Sequence, residues 1–191
     1  MKTYILGDML KKGSIMVREQ EAKQLRDMGY DIYSAIEQKD INDKQNQTEE
    51  SNNKLAERIF HKDTAAIRKS KLIVAEVDNN NVGSCVEIGQ IAEDNWWNDK
   101  IRYIIEHSDS KEEILSALQY LIDEECPKKE CYFHTTDIRH TNLKESGFRR
   151  SFSLNQYLIG ACLSLNPNGV GVWDEIIKDL ESSKLGSDNI D

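Results

Sequence analysis

Two carboxylates define the chemistry that this sequence can support. Glu87 follows Leu72 to Val77, LIVAEV, a mostly apolar and β-branched run bounded by Lys71 and the turn cluster Asp78-Asn79-Asn80-Asn81. Such a run predicts a strand buried on both faces. Val82-Gly83-Ser84 then opens a helix whose apolar side is Val86, Ile88, Ile91 and Ala92. In open α/β sheets ligands sit beyond the carboxyl ends of the strands, where the first N–H groups of the next helix point. Glu87 is therefore expected near a ligand crevice. A carboxylate close to a helix N-terminus is held ionised by the macrodipole, as a nucleophile requires. The same position also suits an ordinary first-turn acid with no chemistry to perform.

Asp63 is the second carboxylate. Leu55, Ile59 and Ile67 share one helical stripe, and Asp63, one helical turn after Ile59, falls inside it. An acid there is desolvated unless well paired, which favours its protonated form. It can equally be an acceptor for a hydroxyl or backbone group near the helix end. A charged carboxylate beside a neutral one matches the nucleophile and acid of glycosidic chemistry.

The elements that must position this pair begin with Tyr4-Ile5-Leu6, a first strand ending at Gly7-Asp8. Ser14 can cap the following helix, Val17, Ala22, Leu25 and Met28 give it a core face, and Gly29 suits its C-terminus. Tyr30 to Tyr33 reads as a second strand, so the opening is β-α-β and predicts a parallel sheet. Residues 37–53 are polar apart from Ile41, and fit either an exposed loop or a lid.

After the Glu87 block, Ile88 to His107 reads as helix, and Ser110-Lys111-Glu112-Glu113 is a capping box opening another, with Ile114, Leu118, Leu121 and Ile122 as its stripe. The two form a helical hairpin inserted into the fold. Cys131 to Thr135 is the fourth strand, with Asp137 and Arg139 just past its end. Asn155 heads an apolar helix, Asn166 to Gly169 is a turn, Val170 to Trp173 is the last strand, and Asp174 caps the closing helix. The expected fold is one doubly wound α/β domain over 1–181, with a mostly parallel, roughly five-stranded sheet. Residues 182–191 have the composition of a flexible tail.

The net charge of −9 argues against a nucleic-acid polymer as partner, though not against small nucleosides. The opening MKTYILGD has no signal-peptide pattern and no apolar run is long enough to cross a membrane, so a cytoplasmic protein is expected. The four cysteines are too scattered for a disulfide framework. Cys126, Cys131, His134 and His140 cluster, but their spacing does not fit a finger-type zinc site, and no metal is expected.

The block from Asp63 to Gln90, DTAAIRKSKLIVAEVDNNNVGSCVEIGQ, resembles the core of the nucleoside 2-deoxyribosyltransferase family. Y4ILGDM resembles that family's opening strand with its active-site tyrosine, T136DIR139 its TDxR turn, and N155QYLIGA its asparagine-led helix. The resemblance spans most of the chain in the right order and implies a flavodoxin-like or Rossmann-like sheet. It implies exchange of the base of 2′-deoxynucleosides through a covalent deoxyribosyl-Glu87, with Asp63 as acid and base and Tyr4 orienting Glu87. Substrate binding would fall to Gly7, Asp8, Asn81, Gly83, Ser84, Asp137, Arg139 and Asn155. No cofactor is implied. The partners would be nucleosides and free nucleobases, in a homo-oligomer whose Asn155 reaches a neighbouring protomer's site.

Asn81 stands where many of these transferases carry an aspartate that contacts the base, and its amide both donates and accepts. The related 2′-deoxynucleoside 5′-monophosphate N-hydrolases also lack that aspartate, and in that reading Lys11, Lys12 and Ser14 would meet a phosphate. A third reading keeps the fold as a nucleoside-binding module without turnover.

Overall fold

The computed structural model describes residues 1–42, 48–77, 80–126, 129–134 and 154–187. The order is β1 (Lys2–Leu6), α1 (Lys12–Asp27), β2 (Asp31–Ser34), a short turn of 3-10 helix (Ala35–Glu37), α2 (Lys39–Asn42), α3 (Glu49–Asn52), α4 (Leu55–Lys69) and β3 (Leu72–Ala75). Then come α5 (Val82–His107), α6 (Lys111–Tyr120) running into a π turn (Leu121–Glu125), β4 (Phe133–His134), α7 (Gln156–Leu165), β5 (Val170–Gly171) and α8 (Trp173–Ser187). No helix among these residues is long and apolar enough to cross a membrane.

The fold is mixed α/β, and every strand pair is parallel, as the β-α-β opening implies. Among the described residues the strands form two separate pieces, β2-β1-β3 and β4-β5, rather than one five-stranded sheet. β1 is central: its residues are buried from Thr3 to Leu6. Strand alternation sends Tyr4 and Leu6 to one face, where they pack with Tyr33, Ile73, Ile67 of α4 and Ile91 of α5. A second core joins Ile41, Leu55, Ile59 and Tyr157, with Phe60 and Val86 against it.

β3 stops at Ala75, short of Val77, and is only partly buried. Its partner β1 ends at Leu6, opposite Ala75, and no second strand pairs with β3 among the described residues. Val77 is accordingly 76% exposed. On α1 the buried positions are Arg18 and Ala22, while Val17 and Met28 face solvent. The helix is set by Arg18, whose guanidinium donates to Leu6 O and pairs with Glu21 at 2.8 Å and Glu76 at 3.3 Å. Ser14 lies inside α1 rather than at its cap and donates instead to Asp8 Oδ2.

Several other expectations shift. Residues 37–42 are not loose: Ile41 is buried in the α4–α7 core, and Lys62 holds Asp40 at 2.6 Å. Ile88 and Ala92 on α5 face outward because Gly83, Ser84 and Glu87 take the inward side. At the end of α6 the π turn brings Leu121 in and leaves Ile122 exposed. Trp173 begins α8 instead of ending a strand, so Asp174 sits in the first turn, and the helix continues through Ser187 into the expected tail.

α4 and α7 cross closely at Gly160. A Cβ there would lie 2.5 Å from Ala56 O and also collide with Phe60 Cβ, neither of which can move aside cheaply. Gly160→Ala should therefore destabilise the fold by about 1–3 kcal/mol, as overpacking does. Thermal denaturation reads this as a fall of several degrees, and an unchanged midpoint would mean the helices do not pack this tightly.

Candidate active site

Glu87 projects from the inward side of α5 and is 8% exposed. Tyr4, at the centre of β1, donates its hydroxyl to Glu87 Oε1 at 2.7 Å. Burial pushes the Glu87 carboxyl up to about 7, the Tyr4 hydrogen bond pulls against this, and the nearby Asp63 charge adds to it. This reverses the expectation of a carboxylate held firmly ionised by the helix. α5 begins at Val82, so Glu87 lies past the first turn, where the dipole's effect has fallen off and desolvation dominates.

Asp63 is 3% exposed, inside the stripe of Leu55, Ile59 and Ile67 as its spacing implies. Tyr33 of β2 donates its hydroxyl to Asp63 Oδ1 at 2.7 Å. Tyr4 and Tyr33 are register partners on neighbouring parallel strands, so they leave the sheet on the same face. Their rings stack with centroids 5.3 Å apart and 13° between planes. Burial raises both phenols, and the adjacent carboxylates raise them further. Each tyrosine thus remains a donor at working pH.

Asp63 and Glu87 line one crevice with Gly7, Asp8, Asn81, Gly83, Ser84 and Asn155, all expected from the sequence. Asn42, Met9, Leu10, Ile59, Gln156 and Tyr157 complete it. Asn155 lines the crevice of its own protomer, where its Oδ1 caps α7 by accepting from Tyr157 N and Leu158 N. A Cβ on Gly83 would stand 3.0 Å from the Asn155 amide, so glycine is what lets α5 and α7 meet there.

The accepting half of Asn81 is taken: its Oδ1 caps α5 through Ser84 N at 3.3 Å. Its Nδ2 has no partner among the described residues, so Asn81 offers a ligand a donor. Burial would raise Asp8, but Leu10 N–H, the Ser14 hydroxyl and Lys11 hold it below its ordinary value. Arg18 backs this turn, filling the space a Cβ on Gly7 would need.

A closed ring of hydrogen bonds lies one turn behind the carboxylates. Tyr157 donates to Gln90 Oε1 at 2.6 Å, Gln90 Nε2 to Thr64 Oγ1 at 3.3 Å, and the Thr64 and Tyr157 hydroxyls are 3.0 Å apart. It ties together α4, α5 and α7, the helices that carry Asp63, Glu87 and Asn155.

Sequence reading missed Tyr33, Asn42, Arg18 and this ring. The available signals were a tyrosine in each of the first two strands, Gln90 one turn after Glu87, and Thr64 beside Asp63. Asp137, Arg139 and His140 lie outside the described residues. Among those described, no group of three His, Cys, Asp or Glu could hold a metal. A roomier crevice of about 350 Å³ opens between β2 and α4, lined by Lys2, Asp31, Ile32, Lys62 and Lys69. Its one carboxylate, Asp31, is exposed, so it offers no counterpart to the Asp63–Glu87 pair.

No protein-family model, curated protein or solved structure matches the chain.

Proposed function

We propose that the crevice exchanges the base of 2′-deoxynucleosides through a covalent deoxyribosyl-Glu87. The observation that supports this is two buried carboxylates in one crevice, each held by its own tyrosine donor. The reactive state has one proton on the pair: burial and the Asp63 charge favour it on Glu87 at rest, and the reaction proceeds from the tautomer that carries it on Asp63. Glu87 Oε attacks the anomeric carbon as the C–N bond breaks, the bonding pair leaves with the base, and Asp63 gives that base its proton. A second base then reverses the sequence, returning a proton to Asp63, with net retention.

The crevice encloses about 70 Å³, less than the roughly 300 Å³ at which ligand pockets usually begin. In finer detail, we infer a flavodoxin-like sheet in which β4 and β5 continue past β3's unpaired edge. The monophosphate hydrolase reading is less well supported: Lys11 and Ser14, which would meet a phosphate, face the Asp8 carboxylate.

Chromatography of the protein with 2′-deoxyinosine, alone and with adenine, tests the proposal. Deoxyadenosine should form only when adenine is supplied. Free base from deoxynucleoside monophosphates, with no exchange, would replace the transferase by the hydrolase. No turnover of any pair would leave a binding module.

A further inference from the structure

We propose that Tyr33 is a positioning residue for the acid: its hydroxyl fixes Asp63 Oδ1 so that the other carboxyl oxygen presents the proton to the leaving base. The inference rests on the reading of the crevice given above. It starts from the 2.7 Å bond between the Tyr33 hydroxyl and Asp63 Oδ1. Asp63 belongs to α4 and Tyr33 to β2, so the bond joins a helix residue to the sheet rather than closing a local turn.

Direction matters here. A carboxyl oxygen that accepts a hydrogen bond is preferentially the carbonyl oxygen when the group is protonated, which puts the acidic hydrogen on its partner oxygen. As the C–N bond breaks, the proton passes from Asp63 to the base nitrogen and the carboxyl becomes a carboxylate. The Tyr33 bond then becomes charge-assisted and strengthens as that charge develops, stabilising the transition state more than the ground state. Burial keeps the Tyr33 hydroxyl protonated throughout, so it never competes for the proton.

The stack on Tyr4 gives this bond its rigidity. Tyr4↔Tyr33 register and the 13° ring angle hold the phenols side by side, one aimed at Glu87 and the other at Asp63. The spacing of nucleophile and acid is thus referred to two adjacent strands as well as to the helices that carry them. Precision of this kind is what acid catalysis at a departing base requires.

Tyr33→Phe removes the hydroxyl and keeps the stacked ring. With 2′-deoxyinosine the variant should lose about tenfold to a hundredfold in kcat, with KM little changed, on the scale of a hydrogen bond to a charged group. With N7-methylated 2′-deoxyguanosine, a cation whose base leaves neutral without a proton, the variant should stay near the wild-type rate. Asp63→Asn should show the same split. Equal losses on both substrates would mean that Tyr33 only shapes the fold, and no loss on either would mean that it does not act through Asp63; each overturns the proposal.

A titration independent of turnover separates this inference from the reading beneath it. The 13C carboxyl shift of Asp63, followed against pH, should have its midpoint raised in Tyr33→Phe, since the lost donor favoured the charged form. If wild type exchanges no base, the transferase reading fails while this titration still decides the Tyr33–Asp63 link. An unmoved midpoint overturns that link whatever the activity.

Discussion

Glu87→Gln should abolish base exchange, lowering kcat by about a thousandfold or more, on the scale of removing a covalent nucleophile. The amide keeps an acceptor for Tyr4 but cannot form the anomeric ester, so no deoxyribosyl adduct should be seen by mass spectrometry. In wild type, kcat/KM should fall about tenfold per pH unit above about 7, where the carboxyl that burial has raised gives up the one proton the reactive pair requires. The same substitution should stabilise the fold. A carboxyl raised from 4.5 to about 7 makes the folded state hold a proton that the unfolded chain releases. Its stabilising contribution is full below about 4.5 and lost as pH rises through about 7. At pH 8 the glutamine variant should therefore be more stable by on the order of 2–3 kcal/mol, with the gap closing toward pH 4.5. Urea unfolding at both pH values checks this. Unchanged turnover would remove Glu87 from the mechanism, and a gap that does not close would remove burial as the cause of its raised pKa.

Asp63→Asn should cost about a hundredfold to ten-thousandfold in exchange of unactivated deoxynucleosides, the range for losing a positioned general acid. The substitution is nearly isosteric, and Tyr33 can still donate to the amide oxygen, so the loss is chemical rather than architectural. Circular dichroism should be unchanged, and a folded variant with wild-type turnover would exclude Asp63 as the acid. The loss should shrink as the leaving base becomes less dependent on protonation. Gly160→Ala, in contrast, should lower stability with little effect on the chemistry per folded molecule.

What could be read from the sequence was local. Helical spacing is enough to place Asp63 in a buried stripe, because Leu55, Ile59 and Ile67 repeat at the helix period and all three are buried. A strand, a polar turn and a glycine-led helix are likewise enough to aim Glu87 at a crevice. Its protonation was not legible, because that depends on where α5 starts and how completely Tyr4, Asp63 and the α4–α7 core exclude water. Tyr33 was not legible as a functional residue either, since its role arises from a register between strands separated by α1. Arg18 broke the apolar pattern of α1 because its partners, Leu6 O and Glu76, come from the ends of two strands. Ile41 offered a single apolar residue in a polar stretch, too little for periodicity to identify the turn it anchors. The two-residue strands β4 and β5 are held by their mutual register, which no pattern in either stretch specifies.

The ring of Thr64, Gln90 and Tyr157 constrains how this chain can change over generations. Each member both gives and receives a hydrogen bond, so replacing any one strands two neighbours in a buried setting. Three apolar substitutions made together would cost less than the sum of the three made singly. Descendants can therefore keep the ring whole or exchange it whole, but the single steps between lie in a valley. Three helices are bound to a shared substitutional history by side chains of which Tyr157 alone borders the crevice.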